Sequence, residues 1–468
     1  MDIVNSVVTY ILGFKPYVML PLIIFVFAVV FRVKISTAIK SSLMIGIGFI
    51  GIFIIFDFFI RHIAPAVEAM VKMTGLSMNV LDVGWPPLAS IAWSFSLAPM
   101  MIIIIMIVNI IMLFSRLTKV VNIDIWNYWH FIMVSAYVNA ATNNIFLAIA
   151  AGIAAEIFIL KIAEWGAPSV KRLSGLSNIA ITTLSAGGFY PIGVVGNWLL
   201  EKVPGLNKIK ANPVAMKNKI GIFGEPILLG FILGFGLGLA AGYEIKNILE
   251  LAFAVAAVVL LLPLMCDVLG SGLMPISEGM KEFIKKRFPK MGEAYIGLDN
   301  AVLMGNPSVI VTGLFLMPVA VALAFVLPGI NFIPIGDLVN TMALIVMIAV
   351  ATNGNVIRSF IIGIPMVIGQ LYVASYMAPT ITSLAGKSGF DFGEYRGAVT
   401  SFLDGGLPQR LWLFKVFEGN WLALVLIPVV LGFLFLAWRI SRRVNVQIKE
   451  EEKNTVKTEE KKKKTNMA

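Results

Sequence analysis

From residue 90 to residue 114 the chain carries no charge, and its middle reads Met-Met-Ile-Ile-Ile-Ile-Met-Ile-Val. A run of this kind suits an α-helix that crosses a bilayer, which takes about 20 mainly apolar residues. Similar runs recur near 8–31, 37–60, 125–141, 143–163, 223–243, 247–271, 308–328, 336–352, 355–376 and 420–438. With 90–114 they predict about eleven crossings. Two more apolar stretches are broken: 176–200, by Gly187-Gly188 and Pro191, and 396–412. These are expected to be re-entrant hairpins that enter and leave on one side. The expected fold is an all-α polytopic membrane protein.

Composition leads to the same class. Of the 468 residues, 59% are hydrophobic and 13% charged, against about 45–50% and about 25% in soluble domains. A single core cannot hide this excess, because cores stop growing near about 250–300 residues. Lipid must be the solvent for most of the surface. The first apolar stretch is too long for a cleavable signal and lacks a small-residue cleavage site. The formal charge of +11 does not indicate nucleic-acid binding, since the basic residues sit beside apolar spans, as in cytoplasmic loops. With one cysteine, Cys266, and two histidines, neither an internal disulfide nor a zinc site is expected. No metal or cofactor is expected either.

Charge also sets direction. Arg32, Lys34 and Lys40 follow the first span, Arg116 and Lys119 the third, and Lys171 and Arg172 the fifth. Lys281, Lys285, Lys286, Arg287 and Lys290 follow the seventh, Arg358 the ninth, and Arg439, Arg442 and Arg443 the last, whereas 329–336 is uncharged. The positive-inside rule then predicts an outer N-terminus and a cytoplasmic C-terminus in a bacterial inner membrane. Residues 1–440 form the expected membrane domain. The tail, 441–468, mixes Glu450-Glu451-Glu452 with Lys461 to Lys464 and is expected to be disordered.

Short motifs recur in the same order about 210 to 220 residues apart. Leu81-Asp82 with Gly84-Trp85-Pro86 returns as Leu298-Asp299 with Gly305-Asn306-Pro307. Asp124-Ile-Trp-Asn127 returns as Asp337-Leu-Val-Asn340, and Ala141-Thr142-Asn143 as Ala351-Thr352-Asn353. The segment from Thr182-Thr183 to Pro191 returns as Thr400-Ser401 to Pro408. The reading is a duplication, with 1–210 and 211–418 as the copies and 419–440 as a final helix. Five crossings in the first copy put the second in the opposite sense, an inverted repeat of the kind transporters use to bind substrate at midplane on discontinuous helices.

At this point the sequence resembles a known family. Val120-Val-Asn-Ile-Asp-Ile-Trp-Asn127, Leu81-Asp-Val-Gly-Trp-Pro86, Gly224-Glu-Pro226, Gly242-Tyr-Glu-Ile-Lys246 and Gly297-Leu-Asp-Asn300 look like the galactitol-type IIC permease component of the bacterial phosphotransferase system. The resemblance implies a homodimer of the ascorbate–galactitol superfamily, with a scaffold domain and an elevator-like core that carries the substrate. It implies an incoming polyol phosphorylated by a phosphocysteine IIB partner, which IIA recharges. No phosphorylated residue is then expected on this chain. One departure stands out: the family pattern has a histidine in the first hairpin, where this chain has Thr182-Thr183, and no histidine follows His130.

A polyol is neutral and rich in hydroxyls, so its site needs several donors and acceptors with little net charge. Carboxylates and amides inside apolar segments are costly and mark such pathways. These criteria select Asp82, Asn139, Asn143, Asp299, Asn300, Asn306, Asn353 and Asp404, with Thr182 and Thr183. Trp85 offers a flat face to a carbon chain, and His130 is a candidate to bind substrate or take a hydroxyl proton. Structural roles compete. Asp82 and Asp299 suit helix capping, the asparagines interhelical bonding, the threonines bonding to carbonyls, Trp85 an interfacial belt and His130 aromatic packing. Asp404 stands apart, because its repeat partner is the uncharged Ala186. The rival reading is an H⁺- or Na⁺-coupled transporter with Asp57, Glu156 and Asp267 as coupling groups. A lipid-modifying enzyme finds no histidine–carboxylate or metal motif.

Overall fold

The computed structural model describes residues 16–74, 78–209, 211, 225–287, 294–388 and 397–467. The start of the first predicted span, Gly224 of the quoted motifs, and Lys290 lie outside these residues.

Apolar, proline-punctuated sequence makes the chain mostly helical. Helix α1 (Pro16–Val30) turns at Arg32 into the long α2 (Ile35–Thr74). Much later, α3 (Pro226–Ala240) turns at Gly242 into α4 (Ile245–Arg287). The two long helices pack together through small residues. A Cβ on Gly272 would stand 2.8 Å from the Ser41 carbonyl oxygen, so only glycine permits this approach, as in helix pairs that associate in lipid.

Among the described residues five helices are long and apolar enough to cross a membrane: Ile35–Ile52 within α2, Ile145–Ser174, Ile245–Met280 within α4, Pro307–Val326 and Val356–Lys387. The predicted span 90–114 is two helices, Trp85–Trp93 and Ala98–Phe114, bent by 93°. The Ser94 hydroxyl donates to the Ser90 carbonyl at 2.8 Å, and a proline opens the second helix; both disfavour straight continuation. Counted as one span, the pair makes six. Thr341–Ala351 is a shorter apolar helix.

One helix runs from Ile427 to Met467, and Glu and Lys are good helix formers. One expectation is corrected: the fold is not purely helical. Strand β1 (Val80–Asp82) pairs in parallel with β5 (Ala398–Thr400), while β2 (Val120–Asn122) and β3 (Ile179–Ile181) flank β4 (Tyr295–Leu298), also in parallel. Where helices break, their backbone groups need partners, and pairing with another broken segment supplies them.

Gly336 lies where the chain crosses the end of β1. A Cβ there would overlap the Asp82 carbonyl and lie 2.7 Å from the Gly84 nitrogen. Gly336→Ala is expected to destabilise by about 1–3 kcal/mol, read as a lower unfolding temperature in detergent. Gly236→Ala, with nothing near its Cβ, is the control expected to show no loss.

Candidate functional site

Three buried polar groups meet where the broken segments converge. The first belongs to the second hairpin. β5 ends in the turn Ser401 to Leu407, and the helix Pro408–Phe417 leads back out. Arg410 is 1% exposed and Asp404 2%. The Arg410 guanidinium donates to the Asp404 carbonyl and, at 3.4 Å, to its carboxylate. It also lies 2.6 Å from His130 Nδ1, which is 3.3 Å from Asp404. His130 stacks on Trp129 at 4.0 Å between centroids, and the guanidinium lies 5.4 Å from the Trp129 ring. Because Arg410 can only donate, His130 Nδ1 facing it is an acceptor and the ring proton belongs on Nε2. The set pairs one positive with one negative charge, which suits a neutral ligand.

The second group gathers on Asp337. Its carboxylate accepts from the Trp85 N–H at 2.9 Å, the Asn340 amide at 3.1 Å, the Ser401 hydroxyl at 2.5 Å and the Leu403 N–H at 3.2 Å. Asp82 beside it accepts from the N–H groups of Gly84, Phe402 and Asp337. Ser401 ties this group to the first, since its hydroxyl accepts from the Asp404 N–H at 3.1 Å.

The third group lies at β2, β3 and β4. The Asn127 amide donates to Asp124 at 2.7 Å and also to Asp299, whose other oxygen accepts from the Ala301 N–H at 2.6 Å. Thr182 donates to Asn122 at 3.1 Å, and Thr183 accepts from the Asn300 N–H at 3.2 Å. Glu156 is fully buried nearby, next to Asn122. The hairpins also touch each other: the Gln409 amide donates to the Leu184 carbonyl at 3.1 Å.

Of the residues chosen from sequence, Asp82, His130, Thr182, Thr183, Asp299, Asn300 and Asp404 fall in these groups. Trp85 is half-buried and enters through its backbone N–H. Asn306 caps the helix Pro307–Val326 by accepting from the Ser308 N–H. Asn139 is half-buried, and its carbonyl accepts from the Asn143 N–H. Asn143 and Asn353 are exposed, each at φ 51° in the turn ending a helix, a conformation asparagine tolerates. These last four stand apart from the buried groups. Of the rival coupling residues, Glu156 is buried and Asp267 exposed.

Sequence reasoning missed Arg410, Asp337, Asp124, Asn127, Asn122 and Ser401. A signal existed for several. Arg410 is an arginine inside the broken apolar stretch 396–412, and the Asp-x-x-Asn pattern occurs at both 124–127 and 337–340. Their significance lay largely in partners 60 to 280 residues away.

The family model described as "PTS system sugar-specific permease component" matches residues 10–394. The chain is 34% identical over 440 residues to the PTS system galactitol-specific EIIC component of Escherichia coli strain K12, spanning 94% of this chain and 97% of that relative. It is 33% identical over 398 residues to a putative permease IIC component of the same strain, spanning 85% and 91%. Apolar helices enclosing buried polar hairpins, with these relatives, define a multi-pass membrane permease. The chain belongs to the family of sugar-specific permease components of the phosphotransferase system.

Proposed function

We propose that this permease component binds galactitol or a related polyol between its two hairpins and carries it inward for phosphorylation by a IIB partner. The observation that carries the reading is the buried Asp404–Arg410–His130 set. It is neutral in sum, yet among the described residues Arg410 Nε and Trp129 Nε1 are buried without hydrogen-bond partners, and the Tyr137 hydroxyl lies beside Arg410. Unmet donors beside a carboxylate suit a ligand made of hydroxyls, and such a site rejects analogues that lack them. The galactitol-specific relative supports the polyol class.

The transport machinery in this reading is two inverted copies. Support comes from the recurring element order, from Asn143 and Asn353 at the same φ, and from a crossed pattern of pairing. Asp82 of the first copy bonds with Asp337 and Phe402 of the second, while Asp299 of the second bonds with Asn127 of the first. The copies thus interlock at the hairpins. The remaining expectations follow the family: a homodimer, a scaffold with an elevator-like core, an outer N-terminus and a cytoplasmic C-terminus.

The chain supplies positioning, which is most of phosphoryl transfer. The phosphoryl group passes from the IIB cysteine to a substrate hydroxyl oxygen: the S–P bond breaks, the O–P bond forms, and the hydroxyl proton goes to water or to the released thiolate. With Nδ1 occupied by Arg410, His130 acts through orientation rather than as the proton acceptor at that atom. The product gains about −1.5 to −2 charges, fits poorly beside Asp404, and leaves. The test uses membrane vesicles loaded with phosphoenolpyruvate and the soluble components. Labelled galactitol is expected to accumulate as its phosphate and to do so with an uncoupler present. Uptake that ignores phosphoenolpyruvate and collapses with the uncoupler would instead establish ion-driven transport.

A further inference from the structure

The final helix, Ile427–Met467, passes from an apolar to a basic face within a few residues. Val429, Leu431 and Phe435 are exposed, and Arg439, Arg442 and Arg443 follow. Exposed apolar side chains on a spanning helix face acyl chains, and the onset of arginines marks the headgroup level. At that level the helix and its neighbours form a half-open cavity of about 400 Å³. It lies between the final helix, the C-terminal half of Ile145–Ser174 and the start of β4.

The lining is specific in chemistry. Lys119, Arg442 and Lys449 bring three cations. Glu164 is the opposing carboxylate, and it is paired with Lys161 at 3.3 Å. Trp165 and Trp438 form apolar walls with a polar edge, the residue type that settles at the headgroup level. Arg442 sits over the Trp438 ring at 5.8 Å. Asn445 braces the wall by donating to the Trp165 carbonyl at 3.1 Å, while its own Oδ1 is buried without a hydrogen-bond partner among the described residues.

The geometry points to a binding site for the phosphate headgroup of an anionic phospholipid. The cations meet the phosphate, the tryptophans meet the glycerol region, and the exposed apolar face of the final helix carries the acyl chains. A basic pocket between membrane helices is the physical form such recognition takes. Free phosphate shares the headgroup chemistry but has no use for the apolar face, which is why a lipid is the favoured source. The site belongs to the helix that lies outside both copies of the repeat. A lipid bound there joins that helix to Ile145–Ser174, which leads into the first hairpin.

The test uses the full-length protein, delipidated in detergent and titrated with phosphatidylglycerol, phosphatidylcholine or inorganic phosphate. Native mass spectrometry and thermal unfolding report binding. Phosphatidylglycerol is expected to bind saturably and raise the unfolding temperature, with no such effect from phosphatidylcholine or phosphate. All three cations are exposed, so the variant Lys119→Gln/Arg442→Gln/Lys449→Gln is expected to fold and to bind at least about ten-fold more weakly. Asn445→Phe fills the cavity without changing charge and is expected to weaken binding as well. Equal affinity in the charge variant, or undiminished binding by Asn445→Phe, would overturn the site. Stabilisation by inorganic phosphate alone would overturn the lipid as its ligand.

Discussion

Replacing Asp404 with asparagine is expected to lower phosphoenolpyruvate-dependent uptake by about 100-fold or more, the scale seen when a member of a preorganised charged site is removed. The carboxylate is 2% exposed and faces Arg410 and His130 together. Asparagine keeps the size and one carbonyl oxygen but removes the charge that balances the guanidinium. Breaking a buried pair by removing one partner costs about 3–5 kcal/mol. Here the loss is expected at the lower end, because the Asp404 backbone carbonyl still accepts from Arg410. Unfolding in detergent measures that term separately. The double variant Asp404→Asn/Arg410→Gln, with no unbalanced charge, is expected to regain stability without regaining uptake. Uptake that stays at the wild-type rate in Asp404→Asn would remove this residue from the substrate path.

Asp337→Ala has the second large effect, and it falls on folding. The wild-type carboxylate is fully buried and accepts four hydrogen bonds, from Trp85, Asn340, Ser401 and Leu403. Deleting it strands donors from three separate parts of the chain, each costing about 1–3 kcal/mol when buried and unpaired. The total is on the order of 4 kcal/mol or more, a large share of the roughly 5–15 kcal/mol by which domains are stable. The variant is expected to accumulate poorly in membranes and to unfold well below the wild type once solubilised. Asp299→Ala, which removes an acceptor for Asn127 and Ala301, is expected to cost less. An Asp337→Ala protein with wild-type thermal stability would show that the bonding of these distant segments to Asp337 does not hold the fold.

Much of this molecule was legible before any coordinates. The long helices follow from apolar runs, and both broken stretches, 176–200 and 396–412, do contain a strand, a turn and a short helix. Asp404 was singled out because it breaks the internal repeat, and it lies in the buried charged set. Asn143 and Asn353 stand at helix ends, where a side chain that tolerates positive φ is needed. The span near 90–114 reads as straight because hydropathy is blind to the serine and proline that bend it.

Hydropathy, charge bias and motif order are sums over neighbouring residues, so the sequence by itself determined that this chain is a multi-pass membrane protein and to which permease family it belongs. Which charges meet is a different kind of quantity. Arg410 lies 280 positions from His130, and Asp337 lies 255 from Asp82. Such pairs form only once the broken segments dock against each other, because a buried polar group must find its partner wherever the packing brings one. Tertiary structure therefore decided that Asp404 is answered by an arginine six positions on and by a histidine from a distant part of the chain.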